Sequence, residues 1–357
     1  PVFLNPETWD REKPVPALGL LAAGSFGLKR LQALKSRERV PVHVVFPMSN
    51  AREAGNLRRL LMVLQPLAGN FIDGVWIAFS GRETPILGHL SRDFPGVRVL
   101  PVRGNLPGDQ AGAPLGKGAA MRAFLYQAIT RGEITHPRAV VQFIDADIRP
   151  PYFNPAWVLD PVGTILWFHS VEAAKVVYRR PRGGRLNALL RSLLALCPHP
   201  GVRALQKLAY LLSGEMAGTV HFWVSLPFKS GYGIEILTLL SLALDRLGLR
   251  PGTPDLDHLA QVYVGPMDHR HAPVTSSPGR RGLDQMAAAV FATALEVLSQ
   301  AGVFGWSLPP LETPRLSIPM FGREGGEPPQ WVEVPVAEVT LPPLKACAEV
   351  RAVLSGG

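Results

Sequence analysis

The sequence predicts an α/β protein built on a mostly parallel sheet with helices on both faces. Between residues 42 and 147, short apolar runs alternate four times with segments of helical periodicity, and the connections are short. The runs are almost continuously apolar, which is typical of strands covered by helices on both sides. In such folds the ligand lies at the carboxyl ends of the strands, so the residues that follow each strand are the ones to examine.

Four strands and three helices account for this first half of the chain. The strands are predicted at residues 42–47, 74–79, 97–102 and 140–144. The helices are predicted between them, at residues 56–67, 85–91 and 119–130. The first of these helices carries leucines at helical spacing, namely Leu57, Leu60, Leu61 and Leu64.

The alternation is less regular after residue 147. Strands are predicted at residues 164–168, 175–178 and 262–264, and helices at residues 186–196, 236–247 and 282–300. Residues 1–40 are expected to form an N-terminal extension with one or two helices. The segment 303–357 is rich in proline and is expected to pack on its own body or on a second subunit.

Composition narrows the class of ligand. The chain has 357 residues, a net charge of +9 and a pI near 9.9, and a hydrophobic content of 47% marks it as globular. A positive charge is compatible with nucleic acid, anionic lipid or small anionic substrates. No five consecutive residues are Lys or Arg, and no basic stripe is interleaved with aromatic residues. We therefore expect small phosphorylated ligands and no nucleic acid.

The sequence also predicts the compartment. No uninterrupted apolar run approaches the roughly 20 residues that span a bilayer, so no membrane association is expected. Cys197 and Cys347 are far apart and lack metal-ligand spacing, which indicates thiols in a reducing compartment. The first residues show no signal-peptide pattern. A cytoplasmic protein is the expectation.

A pair of acids follows the fourth strand. Asp145 and Asp147 are one residue apart, and residues two apart in a strand point to the same face. If the extended geometry persists, both carboxylates can converge on one ion. Carboxylate oxygens suit Mg²⁺ or Mn²⁺, which commonly bridge to a diphosphate. The alternative is a pair of turn or N-cap aspartates.

Three further segments carry candidate chemistry. Lys117 lies between two glycines at a helix start, which favours a phosphate, although an ordinary turn has the same residues. The basic loop of residues 179–185 could hold a phosphate or carboxylate, or simply be solvated. Glu235 falls in the first turn of a helix, where an acid can serve as a cap. His269 and His271 follow the last predicted strand and could bind metal or phosphate, or lie on the surface.

In this order and spacing the segments resemble a known family. They are similar to the retaining GT-A glycosyltransferases that make glucosyl-3-phosphoglycerate, or its mannosyl equivalent, from a nucleotide-sugar and 3-phosphoglycerate. The similarity covers residues 42–302. Its most specific pieces are residues 116–118, 145–147, 178–185, 212–215, 227–235 and 269–270.

The resemblance implies a GT-A fold, which is Rossmann-like, followed by a C-terminal acceptor-binding part and a tail. It assigns the nucleotide-sugar to residues 41–150 and the acceptor and catalysis to residues 151–302, flanked by the N-terminal extension 1–40 and the tail 303–357. It implies a Mg²⁺ or Mn²⁺ cofactor, a nucleotide-diphosphate sugar, a small anionic acceptor such as 3-phosphoglycerate, and a homodimer.

The resemblance also implies roles for individual residues. Catalytic positions are Glu235, Leu212 and Lys117. Nucleotide-sugar positions are Pro47, Met48, Asn50, Ser80, Lys117, Asp145, Ala146 and Glu235. Acceptor positions are Gly184, Arg185, Asn187 and His271. The metal positions are Asp147 and His269.

Some positions depart from the family pattern. Phe79 stands where the family has an aspartate near the base, so the donor is expected to be UDP-glucose or a GDP-sugar. Asn187 replaces a threonine and His271 an asparagine, which leaves glycerate or another hydroxy acid open as the acceptor. Two rival functions remain, a sugar-phosphate nucleotidyltransferase and a non-catalytic sugar-nucleotide binder. The first usually needs a Gly-rich phosphate loop after its first strand, and residues 47–55 contain none.

Overall fold

An eight-stranded sheet forms the centre of the protein. The computed structural model describes residues 2–81, 85–104, 106–180, 184–268, 282–304, 315–320, 330–335 and 338–355. The strands in the first three-quarters of the chain are β1 (Leu20–Leu21), β2 (Val42–Met48), β3 (Gly74–Phe79), β4 (Val97–Pro101), β5 (Val140–Phe143), β6 (Ala173–Arg179), β7 (Met216–Thr219), β8 (Phe228–Lys229) and β9 (Leu259–Pro266). Eight of these nine strands, all except β8, form the sheet, in the order β1-β9-β6-β7-β5-β2-β3-β4. Only β7 runs antiparallel to its neighbours in this sheet.

Helices cover both faces of this sheet. They are α1 (Leu28–Glu38), α2 (Ala54–Leu64), α3 (Pro85–Asp93), α4 (Lys117–Thr130), α5 (Ala156–Trp167), α6 (Arg185–Ala195), α7 (Pro200–Ala204), α8 (Val220–Ser225), α9 (Ile234–Ala243), α10 (Leu283–Gln300) and α11 (Ala348–Ser355). Successive residues of β2 point to opposite faces of the sheet. Val44 belongs to the hydrophobic cluster that contains residues of α2 and α5, and Val45 belongs to the cluster that contains residues of α4 and α9. The predicted mostly parallel sheet between two helical layers is confirmed.

One predicted strand is wrong. Residues 164–168, expected to be extended, form the end of α5. This helix is buried almost all round, from Trp157 through Val162 to Ile165, so its apolar residues show no helical stripe. A short apolar run cannot distinguish a buried helix from a buried strand. The N-terminal segment holds one helix, α1, and also contributes the short strand β1 to the sheet edge.

The sheet crosses the predicted boundary at residue 150, since β5 pairs with β7 and β7 pairs with β6. The division of the chain into four segments stays a prediction.

The end of the chain packs on its own body. Strand β10 (Arg315–Met320) pairs with β11 (Gln330–Pro335), and β12 (Thr340–Leu341) pairs antiparallel with β8. Leu341, Leu344 and Val350 are buried in the core, and α11 packs against α4. The described residues 338–355 therefore belong to the body of the protein. Within the described part of the chain, no helix combines the length and apolar character needed to cross a membrane.

Candidate active site

Lys117 lies at the centre of the candidate site. It is the first residue of α4, and its Nζ lies 2.6 Å from Asp145 Oδ1 and 3.0 Å from Glu235 Oε1. Glu235 lies in the first turn of α9, as the sequence predicted. Burial alone would lower the pKa of Lys117, but the carboxylates of Asp145 and Glu235 raise it well above its usual value. Lys117 is therefore a permanent cation shared by two acids.

The glycines beside Lys117 allow a close approach of two backbones. A Cβ on Gly118 would lie 2.0 Å from the carbonyl oxygen of Lys229, and one on Gly116 would lie 2.5 Å from that of Ser230. Any larger residue would push α4 away from the loop that leads into α9. Glycine at both positions thus allows Lys117 and Glu235 to come into contact. An ordinary turn would not require two glycines here.

The acids after β5 lie in a turn and not in a strand. The strand ends at Phe143, and residues 146–147 form a turn. The condition that the extended geometry persists is therefore not met, as in the alternative of a turn pair, but the two carboxylates are still close enough to interact. Burial and the neighbouring charge of Asp145 raise the pKa of Asp147 to about 7. The Asn56 side chain fixes the turn, because its Nδ2 donates to the carbonyls of Ala146 and Ile148 at 2.7 Å each.

The chain returns to this turn just before the predicted histidine ligand. The amide of Arg149 donates to the carbonyl of Asp268 at 2.9 Å, and the Arg149 guanidinium lies 3.2 Å from the Asp268 carboxylate. His269 and His271 lie outside the described residues. Asp268, the residue before His269, is hydrogen-bonded to Arg149, which lies two positions after Asp147. The described segment 184–268 therefore ends beside the acid turn.

The donor set fits a hard divalent cation that also has ligands outside the protein. Among the described residues, no three side chains of the His, Cys, Asp or Glu type could hold a metal by themselves. Asp147 is half-buried beside a second carboxylate, an arrangement that a cation would stabilise. A carboxylate together with the oxygens of a bound diphosphate suits Mg²⁺ or Mn²⁺.

The predicted base-side residues meet at the ends of β2 and β3. Met48 is buried next to half-buried Pro47, and the amide of Ser80 donates to the carbonyl of Met48 at 2.9 Å. Asn50 is exposed and its Oδ1 accepts from the amide of Arg52 at 3.0 Å. Phe79 is buried in the core, so an apolar ring stands where the resemblance would place an acid.

On the acceptor side, the bend of residues 211–215 contacts both α6 and Lys117. Gly184 has a φ of 84° and starts α6, and Arg185 is exposed. Asn187 Oδ1 accepts from the amide of Leu211 at 2.7 Å, so this side chain holds the bend of residues 211–215. A Cβ on Gly214 in that bend would lie 2.0 Å from Lys117 Nζ. The bend that carries Leu212 is therefore in contact with the central cation.

Besides Asn56, two residues of the site were missed from the sequence. Lys175, within β6, donates from Nζ to the carbonyl of Ser213 at 2.8 Å and is buried. A single charge inside an apolar strand was a signal that could have found it. Glu338 Oε2 accepts from the amide of Gly233 at 2.8 Å, next to the start of α9. Nothing local indicates this contact, because the two residues are more than a hundred positions apart.

A cleft opens beside these groups. Its empty volume, including the part open to solvent, is ≈ 300 Å³. It is lined by residues of five elements and of the 211–215 bend, among them Lys117, Lys175, Ser213, Trp223 and Glu235. Apolar side chains and charged groups thus face the same cleft.

Comparison with known proteins gives a consistent result. No family model matches the chain. The glucosyl-3-phosphoglycerate synthase of Mycobacterium tuberculosis H37Rv is 33% identical over 279 residues, covering 73% of this chain and 74% of that protein. The synthase of Mycolicibacterium smegmatis is 31% identical over 274 residues, covering 73% and 78%.

Solved structures extend the similarity over most of the chain. The M. tuberculosis synthase with Mg²⁺ and uridine diphosphate has a TM-score of 0.71 and 28% identity, covering 93% of this chain and 99% of that one. The same synthase with Mn²⁺, UDP-glucose and phosphoglyceric acid has a TM-score of 0.68, covering 91% and 98%. The predicted GT-A glycosyltransferase fold is confirmed. The chain belongs to the glucosyl-3-phosphoglycerate synthase family.

Proposed function

We propose that this protein transfers glucose from UDP-glucose to 3-phosphoglycerate with retention of configuration, in a reaction that depends on Mg²⁺ or Mn²⁺. The observation that carries the proposal is the contact of Lys117 with both Asp145 and Glu235 at the carboxyl ends of the strands. The support from relatives is that the M. tuberculosis synthase has been solved with Mn²⁺, UDP-glucose and phosphoglyceric acid.

On the donor side, Asp147 and His269 would hold the metal, which supplies charge stabilisation to the leaving diphosphate when bound. Lys117 keeps its proton, so its ammonium adds a fixed positive charge next to the phosphates. Asp145, held by Lys117 at 2.6 Å, is oriented to bind the ribose hydroxyls. Pro47, Met48, Asn50, Ser80 and Ala146 surround the nucleotide.

At the reacting sugar, Glu235 orients hydroxyl groups while Lys117 fixes the carboxylate at 3.0 Å. The Leu212 carbonyl faces the reacting centre, supported by the bend that touches Lys117. Gly184, Arg185 and His271 bind the acceptor. Asn187 acts on it indirectly, since its side-chain oxygen holds the amide of Leu211.

UDP is the proposed nucleotide because the solved relatives contain uridine diphosphate. At residue 79 a buried phenylalanine ring takes the place of the acid that the resemblance implies near the base. A GDP-sugar is therefore the alternative donor to test against UDP-glucose. The acceptor is 3-phosphoglycerate for the same reason, and glycerate is the matching test.

We also propose a homodimer that works in the cytoplasm. Leu189 and Leu196 of α6 and its C-cap are 60% and 80% exposed, and residues seven apart lie on one helical face. A second subunit would bury this apolar surface. Cys197 and Cys347 are both free thiols, which suits a reducing compartment. A monomeric mass by light scattering at micromolar concentration would contradict the dimer.

The experiment that tests the function is a transfer assay with Mn²⁺ or Mg²⁺. UDP-glucose, GDP-glucose and GDP-mannose are crossed with 3-phosphoglycerate and glycerate, and nucleoside diphosphate release is followed. We expect release that needs metal, UDP-glucose and 3-phosphoglycerate together, and an α-linked product by NMR. Release from another pair would correct the substrates. No acceptor-dependent release from any pair would favour a non-catalytic binder. Pyrophosphate release from UTP and glucose-1-phosphate would show a nucleotidyltransferase.

A further inference from the structure

Lys175 is a buried cation that the proposed reaction does not yet use. It lies in the middle of β6, between Ala174 and Val176, and its residue is only 2% exposed. Burial lowers the pKa of its ammonium to about 8. Removing an ammonium from water is costly. Among the described residues no carboxylate forms an ion pair with Lys175, although the carboxylate of Glu235 partly opposes the effect of burial on its pKa. Because the net change in this pKa is downward, the folded environment disfavours the charged form, and the fold alone gives little reason for a lysine here.

The contacts of this ammonium lead to the active site. Lys175 Nζ donates to the carbonyl of Ser213 at 2.8 Å. Ser213 follows Leu212 and precedes Gly214, whose Cα lies so close to Lys117 Nζ that an added Cβ would be 2.0 Å from it. Lys175 also lines the same cleft as Lys117 and Glu235.

The backbone register explains how the side chain reaches the bend. Lys175 pairs with Met216 of the antiparallel strand β7, and the amide of Val176 donates to the carbonyl of Glu215 at 3.1 Å. The bend ends directly before Met216, so a long side chain on β6 reaches the Ser213 carbonyl within it. Glu215, the last residue of the bend, is also buried, and burial and the charge of Asp145 raise the pKa of its carboxyl to about 8. The carboxylate of Glu235 is the strongest influence that favours the charged form of Lys175.

We propose that Lys175 is a positioning residue for the transfer reaction. Its ammonium donates to the Ser213 carbonyl and so fixes the bend. In this conformation the Leu212 carbonyl faces the reacting sugar and Gly214 packs against Lys117. It acts on the chemical step through the Leu212 carbonyl, and we expect its effect on nucleotide binding to be smaller than its effect on kcat. The inference rests on the proposed function and adds a residue to it.

The alternative is that Lys175 only supports the fold, and a pair of buried lysines separates the two roles. Lys175→Met keeps most of the length of the side chain and removes the charge. Lys229→Met is the matched control: Lys229 is 3% exposed and its Nζ forms an ion pair with Glu296 at 2.7 Å. Removing Lys229 leaves a partly buried carboxylate without its cation, which costs stability.

The test measures Tm, the Kd of UDP with Mn²⁺ by calorimetry, and kcat in the transfer assay. For Lys175→Met we expect an unchanged or higher Tm, a Kd within about threefold of the wild type and a kcat lower by about 100-fold. For Lys229→Met we expect a lower Tm and a kcat within about threefold. In Lys175→Ala, propylammonium should restore part of kcat, and tetramethylammonium at equal ionic strength should not.

Other results overturn the inference. A kcat of Lys175→Met within about threefold of the wild type would show that the ammonium does not position the bend. A lower Tm with an unchanged kcat would make Lys175 structural. A loss of UDP binding in parallel with kcat would place it in the nucleotide site instead. If Lys175→Met does not fold, absence of propylammonium rescue in Lys175→Ala overturns the proposal. Absence of turnover in the wild type refutes the proposed function itself, so the two failures are distinguishable.

Discussion

The contact between the 211–215 bend and the central cation can be tested with one methyl group. In Gly214→Ala, the new Cβ would lie 2.0 Å from Lys117 Nζ and 2.5 Å from Asp145 Oδ2. The Gly214 backbone does not have the positive φ that disfavours alanine, so the substitution acts through this contact and not through backbone strain.

The size of the displacement follows from these distances. An ordinary contact of a Cβ is about 3.4 Å or longer, so Lys117 Nζ must move by about 1.4 Å, starting from 2.0 Å. The end of a lysine side chain moves at little cost, so the fold should tolerate the change. By the same measure Asp145 Oδ2 must move by about 0.9 Å, starting from 2.5 Å, so the new Cβ disturbs both partners of the 2.6 Å contact between Lys117 and Asp145. A misplacement of about 1 Å at reacting groups can cost about 100-fold in rate.

We therefore expect Gly214→Ala to lower kcat/KM for UDP-glucose by about 100-fold, with a Tm within a few degrees of the wild type. The matched control is Gly55→Ala in α2. Gly55 is exposed and a Cβ there would meet nothing within 4 Å, so alanine should stabilise the helix by about 0.5–1 kcal/mol without a change in kcat. A kcat/KM of Gly214→Ala within about threefold of the wild type, with the fold intact, would refute the role given to this contact.

Three further substitutions test other parts of the site. Asp147→Ala should abolish metal-dependent UDP binding by calorimetry, and an unchanged Kd would remove Asp147 from the metal site. Arg185→Ala should raise KM for 3-phosphoglycerate more than KM for UDP-glucose, and the reverse pattern would make the basic loop a donor element. Glu338→Ala removes an acceptor of the Gly233 amide at the start of α9, so we expect a loss of about 1 kcal/mol in denaturant unfolding and a higher donor KM. An unchanged donor KM would limit Glu338 to a structural role.

Much of the sheet could be predicted from the sequence because most of its strands are apolar runs that can be recognised locally. The continuous apolar runs before Met48, Phe79 and Phe143 are those of strands buried on both faces, and the structure has strands at all three places. The same rule failed at residues 164–168, because helix α5 is buried all round and its sequence shows no period. Local pattern also missed β7 altogether, because Met216–Thr219 is short and contains the small residues Ala217 and Gly218.

The site could be predicted only where its residues lie in short motifs. Lys117, Asp145 and Glu235 were found because glycines or acids mark each segment, and the structure brings all three into contact. Asn56 and Glu338 were not found. Each forms hydrogen bonds with backbone groups about ninety or more residues away, and backbone groups leave no pattern in a sequence.

The charges of the site give a physical reason for a metal in this family member. Lys117 is bonded to two acids, Asp145 and Glu235, so its positive charge is already balanced before a donor arrives. Asp147 adds a further carboxylate at the same place, and burial next to Asp145 raises its pKa. A nucleotide diphosphate would therefore meet no surplus of positive charge among the described residues that line this end of the cleft. A divalent cation held by Asp147 would reverse that balance and attract the diphosphate. We therefore expect the metal to be needed for donor binding as well as for the departure of the leaving group.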